Sequence, residues 1–404
     1  MQKHTEHTKR GIVVLSGVRT PIGKFGGALA DVPPADLATL VTREALDRSG
    51  LAPEDTGHVV FGHVIPTEPR DLYLARVAAV QAGLPVSVPA MNVNRLCGSG
   101  LQAVVSAAQS IALGDCQVAV GGGAEAMSRG PYWLPQARWG TRMGDGRMLD
   151  AMVAALTDPF DGVHMGITAE NVAERWEVSR EDQDQLALTS HHRAAAAAAE
   201  GRFTDQIVPV EVPTRKGTIQ ATTDEHTRPG ITEADLAKLR PAFKPDGTVT
   251  AGNSSGINDA AAAVVLADAA VAAERGLEPL ARLVAYRHVG VEPAYMGVGP
   301  SPAISLLLED TGLKVDDIDV YEVNEAFAAQ ALAVTRELGL PPERTNPNGS
   351  GIGLGHPVGA TGAVLTVKAL HELRRVGGRY AVVSMCIGGG QGIAALFERE
   401  GGDQ

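Results

Sequence analysis

Two cysteines stand in glycine-flanked stretches near opposite ends of the chain, Cys97 in Asn94-Arg95-Leu96-Cys97-Gly98-Ser99-Gly100 and Cys386 in Ser384-Met385-Cys386-Ile387-Gly388-Gly389-Gly390. A third such stretch, Gly353-Leu354-Gly355-His356-Pro357-Val358-Gly359, supplies a histidine. Small neighbours let a substrate come close and leave backbone N–H groups free to hold an oxyanion. The three stretches together point to acyl transfer through a thiol. An unperturbed Cys, with a pKa of about 8.5, is only a few per cent thiolate at neutral pH, so a working nucleophile needs a base or a dipole beside it. Cys97 has both on offer: it reads as the start of a helix, whose N-terminal dipole favours the anion, and His356 could accept its proton. Plainer readings stand beside these. Cys97 and Cys386 could be small buried residues in tight turns, and Asn324, which follows a strand over 318–323, could be a helix N-cap. Cys116 lacks any glycine cradle and reads as structural.

The elements that must position these groups follow from hydrophobic spacing. A buried strand is expected over 12–15, a helix over 36–49 with Leu37, Leu40, Val41 and Leu46 broadly on one face and Gly50 as its stop, a strand over 59–61 and a helix over 74–81. After Cys97, Leu101, Val104, Val105, Ala108 and Ile111 recur at helical spacing up to Gly114, and a strand over 118–120 ends in Gly121-Gly122-Gly123. The same order returns later: His356 opens a helix carrying Val364, Leu365, Val367, Leu370 and Leu373, Gly377-Gly378 stops it, and a strand over 380–383 leads to Cys386 and Gly388-Gly389-Gly390. This reads as a duplicated α/β half. Alternating strands and helices imply mainly parallel sheets covered by helices, with ligands at the strand ends. Residues 124–250 differ in character: they hold all three tryptophans, several prolines and a long helix through 179–200, so they read as an insertion. Within 211–250 six basic residues balance six acidic ones, which makes this the least repulsive place for a phosphate in an acidic chain. A solvated mixed-charge surface has the same composition.

With 404 residues, 44% of them hydrophobic, and a mean hydropathy near zero, the chain reads as soluble and globular, large enough for two or three domains. Its net charge of −12 and the absence of any Lys/Arg run argue against a nucleic-acid partner. Three cysteines do not make a disulfide framework, which favours a reducing compartment, the cytoplasm. The polar stretch 1–10 lacks the apolar run of a signal peptide, and Asp259 and Asp268 interrupt the Ala-rich stretch after Gly256 before it reaches membrane-spanning length.

The three stretches, with Asn324-Glu325-Ala326-Phe327-Ala328-Ala329-Gln330 and Thr250-Ala251-Gly252-Asn253-Ser254-Ser255-Gly256, closely resemble the thiolase family over essentially the whole of 12–397. Within it the chain is most similar to bacterial biosynthetic-type acetyl-CoA acetyltransferases and β-ketothiolases, particularly in Asn346-Pro347-Asn348-Gly349-Ser350-Gly351 and over 386–392. The resemblance implies an α/β thiolase fold: two duplicated βαβαβαββ-type halves, 1–123 with 251–275 and 276–404, forming a five-layered αβαβα core, plus an inserted loop domain over 124–250. It implies reversible condensation of two acetyl-CoA, or thiolysis of a 3-ketoacyl-CoA, with roles in fatty acid metabolism or polyhydroxyalkanoate synthesis. In that scheme Cys97 carries the acyl group, His356 activates it, and Cys386 moves the α-proton. Asn324 fixes a water in one oxyanion hole, and the N–H groups of Cys97 and Gly388 form another. Arg228, Ser255, Phe243, His164 and Met165 sit where the family contacts CoA or the acyl group. CoA and acyl-CoA are substrates; no cofactor or metal is implied, and the implied assembly is a homotetramer built from dimers. Two departures from many relatives, Gly349-Ser350-Gly351 and Gly353, line the turn before His356 and bear on acyl-chain preference.

Competing readings are a decarboxylating condensing enzyme of the ketoacyl synthase kind, against which the second thiol Cys386 argues, and a non-catalytic acyl-CoA binding module, against which the intact Cys97, His356 and Cys386 argue. A dinucleotide dehydrogenase fits less well, because Gly121-Gly122-Gly123 lacks the fingerprint spacing.

Overall fold

The computed structural model describes residues 11–399; the polar stretch 1–10 lies outside them. Nine strands carry the main sheet: β1 (Ile12–Arg19), β2 (His58–Gly62), β3 (Ala90–Val93), β4 (Val118–Ala126), β5 (Asn258–Asp268), β6 (Ala281–Gly290), β7 (Val320–Val323), β8 (Tyr380–Ile387) and β9 (Gln391–Glu398). Their order is β7-β8-β9-β6-β1-β5-β4-β2-β3, and the short pair Gly23–Lys24 adds to β5. The helices that matter to the site are α1 (Pro34–Ser49), α2 (Leu74–Gln81), α3 (Ser99–Leu113), α4 (Met165–Arg175), α5 (Arg180–Ala199), α6 (Pro300–Thr311), α7 (Ala328–Leu338) and α8 (Thr361–Val376).

The expectation of mainly parallel sheets is corrected. Only β2 with β3, β2 with β4, and β7 with β8 run parallel; the pairs of β1 with β5 and β6, β5 with β4, β6 with β9, and β8 with β9 are antiparallel. The parallel neighbours are those whose connection is a helical crossover, such as α2 between β2 and β3. Among the antiparallel pairs, β8 and β9 meet through a tight turn at Gly388–Gly390, β4 and β5 are joined by the long segment 127–257, and the others pair strands far apart in the chain.

Strand alternation sorts the core into layers. Along β5, Ala260, Ala262, Val264 and Leu266 face one hydrophobic cluster while Ala261, Ala263, Val265 and Ala267 face another. The first cluster joins Leu101, Val104 and Ile111 of α3 to Val364, Val367 and Leu370 of α8 and to strands of both halves, including Val383 and Ile393. The second packs α1 and α2 on the outer face of the N-terminal half, and a third packs α6 and α7 on the outer face of the C-terminal half. Helix layers therefore alternate with the two halves of the sheet, outer, central and outer. The halves are continuous through two residue pairs, Val13 with Arg282 and Val14 with Ala281. The three expected stops, Gly50, Gly114 and Gly377, all cap helices in the left-handed region, where a side chain would be strained, and Gly312 and Gly339 do the same.

Gly121-Gly122-Gly123 does not end a strand; it lies in the middle of β4. A Cβ on Gly121 would come within 2.8 Å of the Val104 Cα, one on Gly122 within 2.7 Å of the Phe61 ring, and one on Gly123 would overlap the Gly359 carbonyl oxygen. The triplet is there so that helices and the turn after His356 can touch the strand backbone. Gly123→Ala should therefore lower stability by about 1–3 kcal/mol in urea unfolding, whereas Gly230→Ala, with open space around it, should change it by less than about 0.5 kcal/mol.

Candidate active site

Cys97 lies in a single 3-10 turn, Leu96–Gly98, that runs directly into α3. Leu96 is held at φ 44, an uncommon conformation for a branched residue, by its N–H donating to Asn94 Oδ1 (2.9 Å) and its carbonyl accepting from Ser99 Oγ (2.7 Å). Gly98 packs so closely on Ile387 that a Cβ would sit 2.6 Å from its Cδ1. This sets the turn against the end of β8. The backbone N–H of Gly388 and that of Cys97 itself both point at the Cys97 sulfur. A thiolate is not the resting form: burial pushes the Cys97 thiol up, the Glu125 charge adds to this, and the two N–H groups offset only part.

Cys386 is not in a turn but within β8, one residue before its end, and is buried. It belongs to a small apolar cluster with Met165, Val249, Met296, Ala326 and Phe327. Burial, then the neighbouring Cys97, drives its thiol far above the ordinary range. The two sulfurs are thus neighbours, and both rest as thiols.

His356 does not open a helix; α8 begins five residues later. Its backbone N–H donates to Asn258 Oδ1 (2.9 Å), and a Cβ on the preceding Gly355 (φ 113) would strike the same Asn258 side chain. The imidazole Nδ1 lies 2.6 Å from Thr361 Oγ1, whose hydroxyl donates to the Pro357 carbonyl at 2.9 Å. With its one proton so committed, the hydroxyl accepts from Nδ1–H, which leaves Nε2 as the free base. Burial lowers the His356 pKa to about 4, so the ring is neutral at pH 7. Asn324 is not a cap: Phe327 occupies the N-cap position of α7, and the Asn324 amide nitrogen instead lies 3.4–3.5 Å from the His356 ring nitrogens. Its Oδ1 is buried without a hydrogen-bond partner among the described residues. The His356 turn meets the Cys97 turn through backbone, for a Cβ on Gly100 would reach Ala363 N at 2.6 Å and Gly359 O at 3.1 Å.

Three groups that sequence reasoning passed over hold this arrangement together. Glu125, fully buried, accepts the N–H groups of Val64, Ile65 and Gly359 at 2.9–3.1 Å, tying the end of β2 to the His356 turn. Glu325 accepts from Ser190 Oγ (2.5 Å) and Asn346 Nδ2 (3.0 Å). Ser190, on α5 of the insertion, accepts in turn the N–H groups of Ser350 (3.2 Å) and Gly353 (3.0 Å). The glycines flanking that loop are the visible trace of the contact, since a Cβ on Gly353 would overlap the Ser190 backbone and one on Gly349 would sit 2.6 Å from the Ser190 carbonyl.

On the substrate side, His164 caps α4 by accepting the Gly166 N–H at Nδ1 (3.0 Å), and its ring stacks on Phe243 with centroids 4.8 Å apart. Met165 and Phe243 join the apolar cluster around Cys386, and the Met165 methyl lies beside Gly388. Ser255 is next door, its N–H donating to the Ala326 carbonyl at 2.9 Å. Arg228 stands apart, exposed, on a strap over 222–232 that runs beside α5. A cavity of about 490 Å³ between α5 and residues 222–229 is not lined by either thiol.

The arrangement can do two things at once: a neutral imidazole can take a thiol proton, and a second, drier thiol beside the first can exchange a proton with carbon. Comparison with known proteins agrees with that pairing of fold and chemistry. The family model for the thiolase N-terminal domain matches residues 12–270, and that for the thiolase C-terminal domain matches 277–399. The chain belongs to the thiolase family. It is 64% identical over 391 residues to the beta-ketothiolase BktB of Cupriavidus necator, covering 96% of this chain and 99% of that one. It is 49% identical to the cytosolic acetyl-CoA acetyltransferase of Rattus norvegicus, with 96% and 98% covered. Among solved structures, the Bacillus anthracis acetyl-CoA acetyltransferase superposes with a TM-score of 0.95 at 47% identity, covering 97% of this chain and all of the other. The human mitochondrial 3-ketoacyl-CoA thiolase in complex with CoA superposes at 0.93 and 45% identity, with 96% and 98% covered.

The buried imidazoles make the fold acid-sensitive. His356, His191, His226 and His288 are all lowered to about 4, so the native state disfavours protons that the unfolded chain binds near 6.5. Stability should be fully present above pH 6.5 and fall as the pH drops towards 4, by about 3 kcal/mol for His356 alone. Urea midpoints across that range check the sign.

Proposed function

We propose that this thiolase exchanges acyl groups between coenzyme A thioesters through Cys97, with His356, Cys386, Asn324 and the Gly388 N–H as its working groups. One observation carries the reading: the Gly388 N–H is aimed at the Cys97 sulfur while the Cys386 thiol, from the same strand end, lies beside it. In thiolysis His356 Nε2 takes the Cys97 proton, and the thiolate attacks the 3-keto carbon of a 3-ketoacyl-CoA. The C2–C3 bond breaks, acyl-Cys97 remains, and the departing acetyl-CoA enolate takes a proton from the Cys386 thiol. Incoming CoA gives its thiol proton to the Cys386 thiolate and attacks acyl-Cys97; the released Cys97 thiolate recovers its proton from His356. Read backwards, the steps condense two acetyl-CoA molecules to acetoacetyl-CoA and CoA. The N–H groups of Cys97 and Gly388 suit the acyl oxygen on the sulfur they already face, and His356 with Asn324 suits the enolate oxygen. A thiol pushed up by burial is a poor acid but, once ionised, a correspondingly strong base, which suits proton exchange at a weakly acidic α-carbon. His164, Met165 and Phe243 would receive the acyl and pantetheine end, Ser255 the pantetheine, and Arg228 the phosphates of CoA.

Acetyl-CoA should add one acetyl group, on the peptide holding Cys97, and label found elsewhere in Cys97→Ser would overturn the assignment. Cys386→Ala should still be acetylated at Cys97 yet lose exchange of the acetyl-CoA methyl protons with solvent deuterium. His356→Ala should slow turnover by about 10²–10⁴ and slow alkylation of Cys97 at neutral pH.

We further place the protein in the cytoplasm, supported by an odd count of three cysteines, which makes no disulfide framework, and assemble it as a homotetramer. Among the described residues one stretch, Leu96–Leu113, is long and apolar enough to cross a membrane, and it is the central-layer helix with its lead-in turn. Support for assembly comes from the hairpin region, which exposes Tyr132, Trp133, Leu134, Trp139, Met143 and Met148, large apolar side chains that a subunit interface would cover. Sedimentation equilibrium should give four times the 42.0 kDa chain mass, and replacing Trp133, Leu134 and Met143 by Ser should reduce it. A wild-type monomer would exclude this assembly.

A further inference from the structure

Consecutive residues of α5 grip two different parts of the site. Ser190 holds the loop that leads to His356, as described above. His191, only 2% exposed, accepts the backbone N–H of Arg228 at Nδ1 (3.2 Å), and its ring lies against that of His226 with centroids 6.1 Å apart and planes 28° from parallel. The His226 ring bonds to the Ile352 backbone, and Thr227 Oγ1 donates to the Gly353 carbonyl (3.0 Å), so the strap is pinned between α5 and the catalytic loop. Arg228 alone of these residues faces outward: its side chain is exposed and has no hydrogen-bond or ion-pair partner among the described residues. In a chain of net charge −12 an unneutralised guanidinium, fixed through its own backbone by a buried acceptor, is built to meet an anion.

We infer that His191 is a positioning residue for substrate binding: by holding the Arg228 N–H it fixes the strap so that the guanidinium meets the phosphates of the coenzyme A substrate, an inference that rests on the reading of the strap as a CoA contact proposed above. The neutral tautomer with its proton on Nε2 is the one that works, because Nδ1 must be an acceptor. Loss of one such hydrogen bond loosens the strap without touching either thiol, so the effect belongs in KM and not in kcat.

The test compares thiolysis of acetoacetyl-CoA with that of acetoacetyl-pantetheine, which carries the thioester and no nucleotide phosphates, both at saturating CoA. His191→Ala should raise KM for acetoacetyl-CoA about 3–10-fold, keep kcat within about twofold, and leave acetoacetyl-pantetheine unaffected. His191→Asn, whose Oδ1 replaces Nδ1, should restore the wild-type KM, while His191→Gln, whose acceptor lies further out, should not. The Asn and Gln pair decides the matter even if the Ala protein is too unstable to purify. The inference is overturned if KM for acetoacetyl-CoA does not move, if both thioesters change alike, or if Asn and Gln behave the same. Arg228→Ala separates the two levels: an unchanged KM there removes the strap as a phosphate contact, whereas a raised KM in Arg228→Ala with none in His191→Ala or His191→Gln sinks this inference alone.

Discussion

Backbone-to-backbone contact in the central layer is the constraint on which the site depends. Helices α3 and α8 lie between the two halves of the sheet and meet each other at Gly100 against Ala363 and Gly362 against Leu101, closer than any side chain permits. Gly62 and Gly123 then approach Gly359 from the strand side. These contacts put the N-terminus of α3, which carries Cys97, against the turn that carries His356. Glu125 adds direction to what the glycines allow, since its carboxylate has acceptors for both the β2 end and the Gly359 N–H. A buried carboxylate with three N–H donors is satisfied only in one relative placement of those segments. Close packing supplies proximity, and the polar clamp supplies register.

Much of this was legible in the chain, and what was not has physical causes. Helix and strand positions could be read because apolar spacing reports burial directly: α2 falls where Leu74 and its neighbours place it, and α3 begins right after Cys97. Strand direction could not be read, because a strand buried on both faces looks the same whether its neighbour is parallel or antiparallel. Gly121-Gly122-Gly123 was misread as an end because glycine usually marks a turn, whereas here each Cβ would collide with a helix, a ring or the His356 turn. Asn324 looked like a cap because it follows a strand by one residue; only the fold shows that α7 begins four residues later and that its amide faces His356. Glu125, Glu325 and Ser190 carried no local signal at all, for their partners lie 135 or more positions away except where Glu125 reaches back to β2 and Glu325 to Asn346.

The segment between β4 and β5 is structural to the candidate site and not merely a lid beside it. Helix α5 reaches the loop before His356 through Ser190 and the strap through His191, while α4 lays Met165 in the cluster around Cys386 and its cap His164 against Phe243. Gly349 and Gly353 are the positions at which α5 comes closest. With a bulkier residue in place of Gly353, the helix would have to stand further off, and the wall of the site that it contributes would move with it.

Dryness sets the electrical character of the site. Cys97 and Cys386 are held as thiols and His356 as neutral imidazole by the same burial, so the resting centre carries no net charge of its own beside the buried Glu125. Forming a Cys97 thiolate and a His356 cation in such surroundings is unfavourable until something stabilises the separated charges. Free enzyme thus has little tendency to keep a reactive thiolate exposed to unwanted electrophiles. In the proposed reaction a bound thioester would change the balance, because attack moves the negative charge from sulfur to an acyl oxygen beside the N–H groups that face that sulfur. On the proposed roles, the pKa mismatch between His356 and Cys97 is then not a defect of the pair: it would make proton transfer depend on the acyl group that is to receive the sulfur.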